Sequence, residues 1–236
     1  VTMPFYDYYG DRSATAAGIA WVRTQARYVL GRLLCVSPHS RSLLEIGPGR
    51  GVFASVCLQA HLRYYALDIN HRLLMRLGDQ GVCSVQSYAE RLPFVSRAFD
   101  IAFASHVVEH SPGYVEALSL LSEMRRVVIP GGIVALIVPD YLALREDFWN
   151  CDYSHSFVTT RRRLLQMYHD AGLTVIEQRS LYGPFTGTAG WLGGYTLGGG
   201  TMGAIARMIP GTLGEKLYKM RLTFARAILM IGRVPQ

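Results

Sequence analysis

Residues 43–51 read Leu-Leu-Glu-Ile-Gly-Pro-Gly-Arg-Gly, and apolar residues resume at Val52, Phe53 and Ala54. An apolar run that stops at a glycine-dense turn and restarts at once predicts a buried strand, a tight loop and the start of a helix. Glycine gives such a loop its unusual backbone angles and lets a ligand approach the main chain. The helix start then turns its positive end toward that ligand. The spacing is G-x-G-x-G. A dinucleotide fingerprint needs G-x-G-x-x-G or a final Ala, and the residue at that position is Val52. The glycine spacing therefore disfavours a dehydrogenase.

The same strand-then-helix rhythm continues downstream. Strands are expected near 42–46, 63–68, 82–86, 100–104 and 132–138, and helices at 51–60, 70–78 and 114–128. This alternation predicts an α/β fold with a mostly parallel central sheet flanked by helices, and a ligand site outside the carboxyl ends of the strands. Glu45, Asp68, Ser87–Glu90 and Ser105–His110 fall at such ends. Asp68 closes the second strand about 20 residues beyond the glycine loop, where an acid can accept both hydroxyls of a ribose.

The pattern E-x-G-x-G-x-G at 45–51 resembles motif I of the class I S-adenosylmethionine (SAM)-dependent methyltransferases. Ala89-Glu90-Arg91-Leu92-Pro93-Phe94, Phe99-Asp100, Glu109-His110 and Val128-Ile129-Pro130-Gly131-Gly132 follow in the order of the UbiE/type-11 group, so the resemblance covers residues 40–178. It implies a Rossmann-like class I fold with an N-terminal helix and a C-terminal helical extension, SAM as cofactor and S-adenosylhomocysteine as product. By this resemblance the backbone around Gly47, Gly49 and Gly51 packs against the amino acid end of SAM, and Glu45 attracts its amino group. Asp68 takes the ribose hydroxyls, Ile69 flanks the adenine and Ala89 offers its backbone to the ring. Ser105, ending the fourth strand, completes the cofactor set. One position departs from the family: the Asp that usually precedes the Ala is Tyr88 here, and Glu90 is the substitute at hand.

Methyl transfer is an in-line displacement at an activated carbon, so positioning and desolvation supply much of the acceleration. A base is needed only where the acceptor must lose a proton, and histidine suits that task near neutral pH. His110 is the first candidate, because it lies just past the fourth strand where the acceptor sits in this family. His106 and His155 are the others. Asp152-Tyr153-Ser154-His155 resembles a segment of methyltransferases that act on sugars and related hydroxylated metabolites. The expected reaction is methyl transfer to a small-molecule acceptor, at the oxygen of a glycosylated, lipid-linked or other natural-product substrate. His106 to His110 also spells H-x-x-E-H, the inverted zinc-protease pattern. Within this frame it follows a strand rather than lying on a helix, and the protease reading is rejected. His106, Glu109 and His110 resemble as well the metal-binding E-x-x-E-H stretch of quinone-pathway O-methyltransferases, with His in place of the first Glu. No metal is expected.

A chain of 236 residues suggests one domain. Its parts are an N-terminal helical cap at 1–40, a SAM-binding core at 41–180, and a Gly-rich loop with a basic amphipathic extension at 181–236. The cap contains an amphipathic helix over 14–34. The loop at 183–203 demands little regular structure, and reads as a lid or a connector. In the extension Leu213, Leu217, Met220, Phe224 and Ile228 recur at helical spacing. Such a helix packs on its own domain or on a second subunit, as in a homodimer, or rests on anionic lipid as a peripheral membrane contact.

The net charge of +7 favours anionic partners. The charge is dispersed, however, and the one triple run, Arg161-Arg162-Arg163, opens a helix expected at 160–171. Ser105-His106-Val107-Val108 stands where a base-amine methyltransferase carries N-P-P-Y or D-P-P-Y, so nucleic acid is not the expected partner. Four cysteines without a C-x-x-C, three of them in apolar segments, read as buried small hydrophobes in a reducing cytosol, which makes the expected location cytoplasmic. A competing reading is a catalytically degenerate SAM-binding partner subunit. Tyr88 leaves room for it, while the intact Gly47, Gly49, Gly51 and Asp68 argue against it.

Overall fold

Every residue of β1 (Ser42–Ile46) is buried, as a strand covered on both faces must be. In the computed structural model, residues 15–78, 81–184 and 187–236 are described; the first 14 residues of the expected cap lie outside them. After β1 come α2 (Val52–Gln59), β2 (Arg63–Asp68), α3 (His71–Gly78), β3 (Cys83–Gln86), β4 (Phe99–Ser105), a 3-10 turn (Val108–His110), α4 (Tyr114–Val127) and β5 (Val128–Pro139); α1 (Ala16–Val36) precedes it. The chain continues through α5 (Tyr141–Leu144), α6 (Asp147–Asn150), α7 (Arg161–Asp170), β6 (Thr174–Tyr182), α8 (Gly187–Thr196), α9 (Gly200–Met208), α10 (Gly211–Phe224) and β7 (Arg226–Arg233).

Among the described residues the strands form one seven-stranded sheet in the order β3-β2-β1-β4-β5-β7-β6. β1 to β5 run parallel, and β7 is antiparallel to both of its neighbours. Alternate residues of the strands feed two cores. Leu44, Ile46, Ala102 and Ala104 pack with Leu120, Leu121, Met124, Leu164 and Tyr168 of α4 and α7. Leu43, Ala66, Ile101 and Phe103 pack with Leu30 and Leu33 of α1, Phe53 and Cys57 of α2, and Leu74 of α3. Order reverses between β1 and β4, and the crevice at their carboxyl ends is where open α/β sheets bind ligands. This is the mostly parallel, helix-flanked sheet expected.

In the last 50 residues the expected helical extension is present as α10, and the segments on either side of it differ from expectation. Residues 187–196 and 200–208 are helices, α8 and α9, rather than an irregular loop. The glycines in and between them serve close packing. A Cβ on Gly194 would lie 2.0 Å from the Tyr182 ring, one on Gly198 2.3 Å from the Phe224 carbonyl, and one on Gly203 2.6 Å from the Arg221 side chain. Arg221, almost fully buried, pairs with buried Asp147 and so ties α10 to α6. Helical spacing ends at Phe224, and Ile228 lies in β7, between β5 and β6. All six interior residues of that strand are buried. The Tyr168 hydroxyl donates to the Met230 carbonyl at 2.9 Å, and Gly232 leaves the space that the Tyr168 ring fills. The end of the chain is thus part of the sheet rather than an appendage. Among the cysteines only Cys57 is buried; Cys35 and Cys83 are exposed and Cys151 half-buried, because the first two sit on outward positions of otherwise apolar segments. No helix among the described residues is long and apolar enough to cross a membrane.

Candidate active site

The glycine loop leaves β1 with the Gly47 N–H donating to the Leu67 carbonyl of β2 at 2.8 Å. Gly47, Gly49 and Gly51 have φ of +71°, +52° and +73°, the left-handed region that disfavours other residues. Their surroundings separate their roles. A Cβ on Gly47 would meet Val107 at 2.6 Å, and one on Gly51 would meet Leu77 at 2.3 Å, whereas one on Gly49 would meet nothing within 4 Å. Gly51 caps α2 and does not line the cleft; it lets the loop pack on α3.

One cavity of about 1660 Å³ runs along the carboxyl ends of the strands. Gly47, Gly49, Glu45, Asp68, Ile69, Tyr88, Ala89, Glu90 and Ser105 line it, as do His106, His110 and His155. Of the residues singled out in the sequence, only Gly51 stands apart. α1 contributes Ile19, Val22, Ala26 and Val29 along one apolar face of the same cavity.

Glu45 is 3% exposed, and its carboxyl accepts from the Tyr64 hydroxyl. Burial pushes its pKa up to about 8, the Tyr64 hydrogen bond pulling down and nearby Asp68 pushing up. At neutral pH it is therefore mainly a neutral acid in the wall of the cleft. Asp68 is also raised by burial, against the backbone N–H groups of Asn70 and Ile69, with Asn70 at 2.8 Å. Ile69 and Tyr88 are exposed and line the cavity, Tyr88 at 61% exposure. An acid for an ammonium, an acid for two hydroxyls, an open glycine between them and an apolar side chain beside Asp68 form a donor set that fits SAM.

The opposite wall is built from the turn after β4 and the segment after α6. His106 takes φ +57°, and its Nδ1 lies 3.0 Å from Glu109 Oε1. Surrounding protein works against a charged imidazole there, but the Glu109 hydrogen bond and charge outweigh it and raise the His106 pKa. Glu109 itself is fully buried, and its Oε2 has no hydrogen-bond partner among the described residues. The Glu109 carbonyl accepts from the Ser156 and Phe157 N–H groups at 2.9 and 3.0 Å, which lays the 151–157 segment along the turn. His110 Nδ1 lies 2.8 Å from Ser154 Oγ, and Ser154 Oγ donates to Asp152 Oδ1 at 2.7 Å. Burial lowers the His110 pKa, aided by His155 and His106 and opposed by Glu109 and Asp152. The His155 ring centroid is 4.9 Å from that of His110, and its Nδ1 is 2.5 Å from the Phe148 carbonyl. Glu109, His110 and His155 offer atoms within 4.8 Å of one another. That is near enough for one polar group of a ligand to touch all three.

Sequence reasoning left out Tyr64 and Ser154. Tyr64 could have been found from strand register, since it lies on β2 beside β1. Ser154 carried a signal only in its spacing from Asp152. Glu109 was noticed in H-x-x-E-H but not placed in the site.

A parallel sheet with an antiparallel seventh strand, a glycine loop after β1 and an acid after β2 make up the Rossmann-like fold of the class I methyltransferase type. Residues 44–136 match the family described as a methyltransferase domain. An uncharacterized methyltransferase of Mycobacterium leprae is 31% identical over 136 residues, 56% of this chain and 46% of the relative. The chain spans about half the length of the curated relatives it matches. Among solved structures, a SAM-dependent methyltransferase of Archaeoglobus fulgidus superposes with a TM-score of 0.60 at 17% identity, covering 89% of this chain and 94% of its own. The N-methyltransferase NodS of Bradyrhizobium japonicum, in complex with S-adenosylhomocysteine, gives 0.59 at 16% identity, covering 90% and 87%. At such identities the likeness is one of fold. Over residues 44–136 the chain is thus similar to methyltransferases of the type-11 group, and the fold around that stretch is the class I, Rossmann-like one.

Proposed function

We propose that this protein transfers the methyl group of SAM to a small-molecule acceptor, at an oxygen that loses its proton in the reaction. The observation that carries the reading is the single cavity. The Gly47–Gly49 loop, Glu45 and Asp68 line one side of it, and His106, His110 and His155 the other. SAM, when bound, supplies a methyl group on a positively charged sulfur, a leaving group that needs no further activation.

The residues of the chain do the rest. Glu45, once ionised, holds the ammonium of the cofactor, and Asp68 accepts from the ribose hydroxyls. Ile69, Ala89 and Tyr88 would border the adenine, with Glu90 as the candidate partner for its amino group. Ser105, the last residue of β4, lines the same cavity. His110 takes the proton from the acceptor hydroxyl as the new carbon–oxygen bond forms. Depressed by burial, it is neutral at pH 7 and ready to accept. His155 and Glu109 orient the acceptor's polar group, and the apolar face of α1 covers the remainder. This division suits a substrate with one hydroxylated end and an apolar body, in line with a glycosylated, lipid-linked or natural-product acceptor.

Calorimetric titration with SAM, S-adenosylhomocysteine and NADH tests the cofactor half. Binding of both adenosyl ligands, no NADH signal, and loss of binding in Asp68→Ala are expected. A folded wild type that ignores SAM would move the partner-subunit reading ahead, with Tyr88 marking the altered adenine pocket. The acceptor half is tested by mass gain of one methyl group across hydroxylated and amine acceptors.

The lipid-contact reading of 204–236 now rests on α9 and α10 alone, where Met208, Leu213, Lys216 and Lys219 are exposed. Co-sedimentation with anionic vesicles, compared between wild type and the K216E/K219E double variant, tests it. Equal recovery of the two in the supernatant sinks it. A homodimer would show as a doubled mass in sedimentation velocity.

A further inference from the structure

Between α6 and α7 the chain runs past His110 without regular structure, yet two side chains there, Asp152 and Ser154, connect by hydrogen bonds to the His110 ring. Asp152 Oδ1 accepts from both the Ser154 backbone N–H, at 2.9 Å, and the Ser154 hydroxyl, at 2.7 Å. A carboxylate accepts and does not donate. The one hydroxyl proton of Ser154 is therefore directed at Asp152. Ser154 Oγ then meets His110 Nδ1, at 2.8 Å, with its lone pairs. Two acceptors cannot form that contact, so Nδ1 must carry the imidazole proton. The neutral ring holds only one such proton, and Nε2 is left as the basic nitrogen.

We propose that Asp152 and Ser154 form a relay that holds His110 in its Nδ1–H tautomer and fixes the plane of its ring, making Nε2 the atom that receives the acceptor's proton. The inference rests on the reading of His110 as the base. Asp152 and Ser154 are positioning residues: they act through His110. Their role parallels that of a carboxylate bonded directly to a catalytic imidazole, where the wrong tautomer costs several orders of magnitude in rate. Here a hydroxyl is interposed. When Nε2 gains the proton, the imidazolium keeps its Nδ1–H on Ser154, and the negative charge of Asp152 lies one hydrogen bond further on. His155 carries a proton on Nδ1 for a different reason, since that atom faces the carbonyl of Phe148, which only accepts. The segment that carries the relay is held against the turn by the two N–H groups on the Glu109 carbonyl, so Ser154 is delivered by backbone hydrogen bonds and not by its own contact with His110.

The test needs no knowledge of the acceptor. In the 15N-labelled full chain, two-bond nitrogen–proton spectra of the imidazoles distinguish protonated from bare ring nitrogens, and the signal lost in His110→Gln identifies His110. Wild type is expected to show Nδ1–H on His110. Ser154→Ala should release it to a mixture of tautomers, Ser154→Thr should restore the wild-type state, and the His155 signals should remain unchanged in all three. Nε2–H on His110 in the wild type, or an unchanged His110 tautomer in Ser154→Ala, overturns the relay. Loss of the His155 pattern in Ser154→Ala would show that the segment itself had moved; Asp152→Asn then decides, and an unaltered His110 tautomer there overturns the relay as well. Failure of the base reading looks different. His110→Gln would keep full methyl transfer to whatever acceptor the mass screen identifies, while the spectra stay as expected; the catalytic half of the proposal would then be overturned and the tautomer lock alone would stand.

Discussion

The Tyr64 hydroxyl donates to the Glu45 carboxyl across neighbouring strands, inside the wall of the cleft. Burial lifts Glu45 from its ordinary 4.5 to about 8, while Tyr64 holds it lower than burial alone would. An ammonium ligand needs the ionised form. Below pH 8, SAM binding should therefore release a proton, and affinity should rise with pH by up to about tenfold per unit until the group is ionised. Calorimetry in buffers of different ionisation enthalpy measures the proton. Glu45→Gln should abolish the release, and Tyr64→Phe should move it to higher pH. Without ligand the sign reverses: the folded protein favours protonated Glu45, so this group's contribution to stability is full below 4.5 and is lost as pH rises toward 8. Urea unfolding across that range checks it.

The glycines of the loop separate into packing and access roles. Gly51→Ala combines φ +73° with a 2.3 Å approach to Leu77. We expect a loss of about 2–4 kcal/mol in unfolding free energy, from strain together with overpacking. Gly49→Ala faces open space, so its cost should stay near the ~1–2 kcal/mol of a left-handed backbone. Its main effect should be on SAM affinity. Equal stability losses in the two variants would contradict this division.

Methyl transfer should have an acid limb set by His110. Burial, His155 and His106 depress its pKa against the charges of Glu109 and Asp152, which places the limb below the ordinary 6.5, with a plateau above it. His110→Gln should cost about 10²–10⁴ in kcat with SAM affinity retained. Transfer should survive dialysis against a chelator. Loss with chelator and recovery with a divalent ion would reassign the grouping of Glu109, His110 and His155 to a cation.

Removing residues 226–236 should destroy cooperative folding, because β7 pairs with both β5 and β6 and is buried along its length. A milder probe is Gly232→Ala, whose Cβ would approach the Tyr168 ring to 2.6 Å. A loss of about 1–3 kcal/mol is expected from overpacking. A soluble, two-state truncated protein would show that β7 is dispensable.

Local patterns carried most of what was legible. Glu45, Gly47, Gly49 and Asp68 announced themselves because each lies at a strand end within a few residues of an apolar run, and the fold's rule for ligand position does the rest. The α8 and α9 helices were not legible, since their glycines look like flexibility until Tyr182, Phe224 and Arg221 are seen against them. β7 was hidden for a related reason. Apolar residues continue from α10 into the strand without a break in composition, and only a neighbour on each side decides that Ile228 belongs to a sheet.

The amino-acid order alone determined the α/β alternation, the glycine loop after β1 and the acid that closes β2, because each is encoded within a short window. Tertiary structure decided the opposite wall of the cleft. Glu109 and His110 meet Ser154 and His155 only after the chain has crossed β5 and turned back, and His110 and Ser154 are 44 residues apart. Tautomer, burial and the pKa of Glu45 depend on what surrounds a group, and those surroundings come from segments with no periodic relation to it.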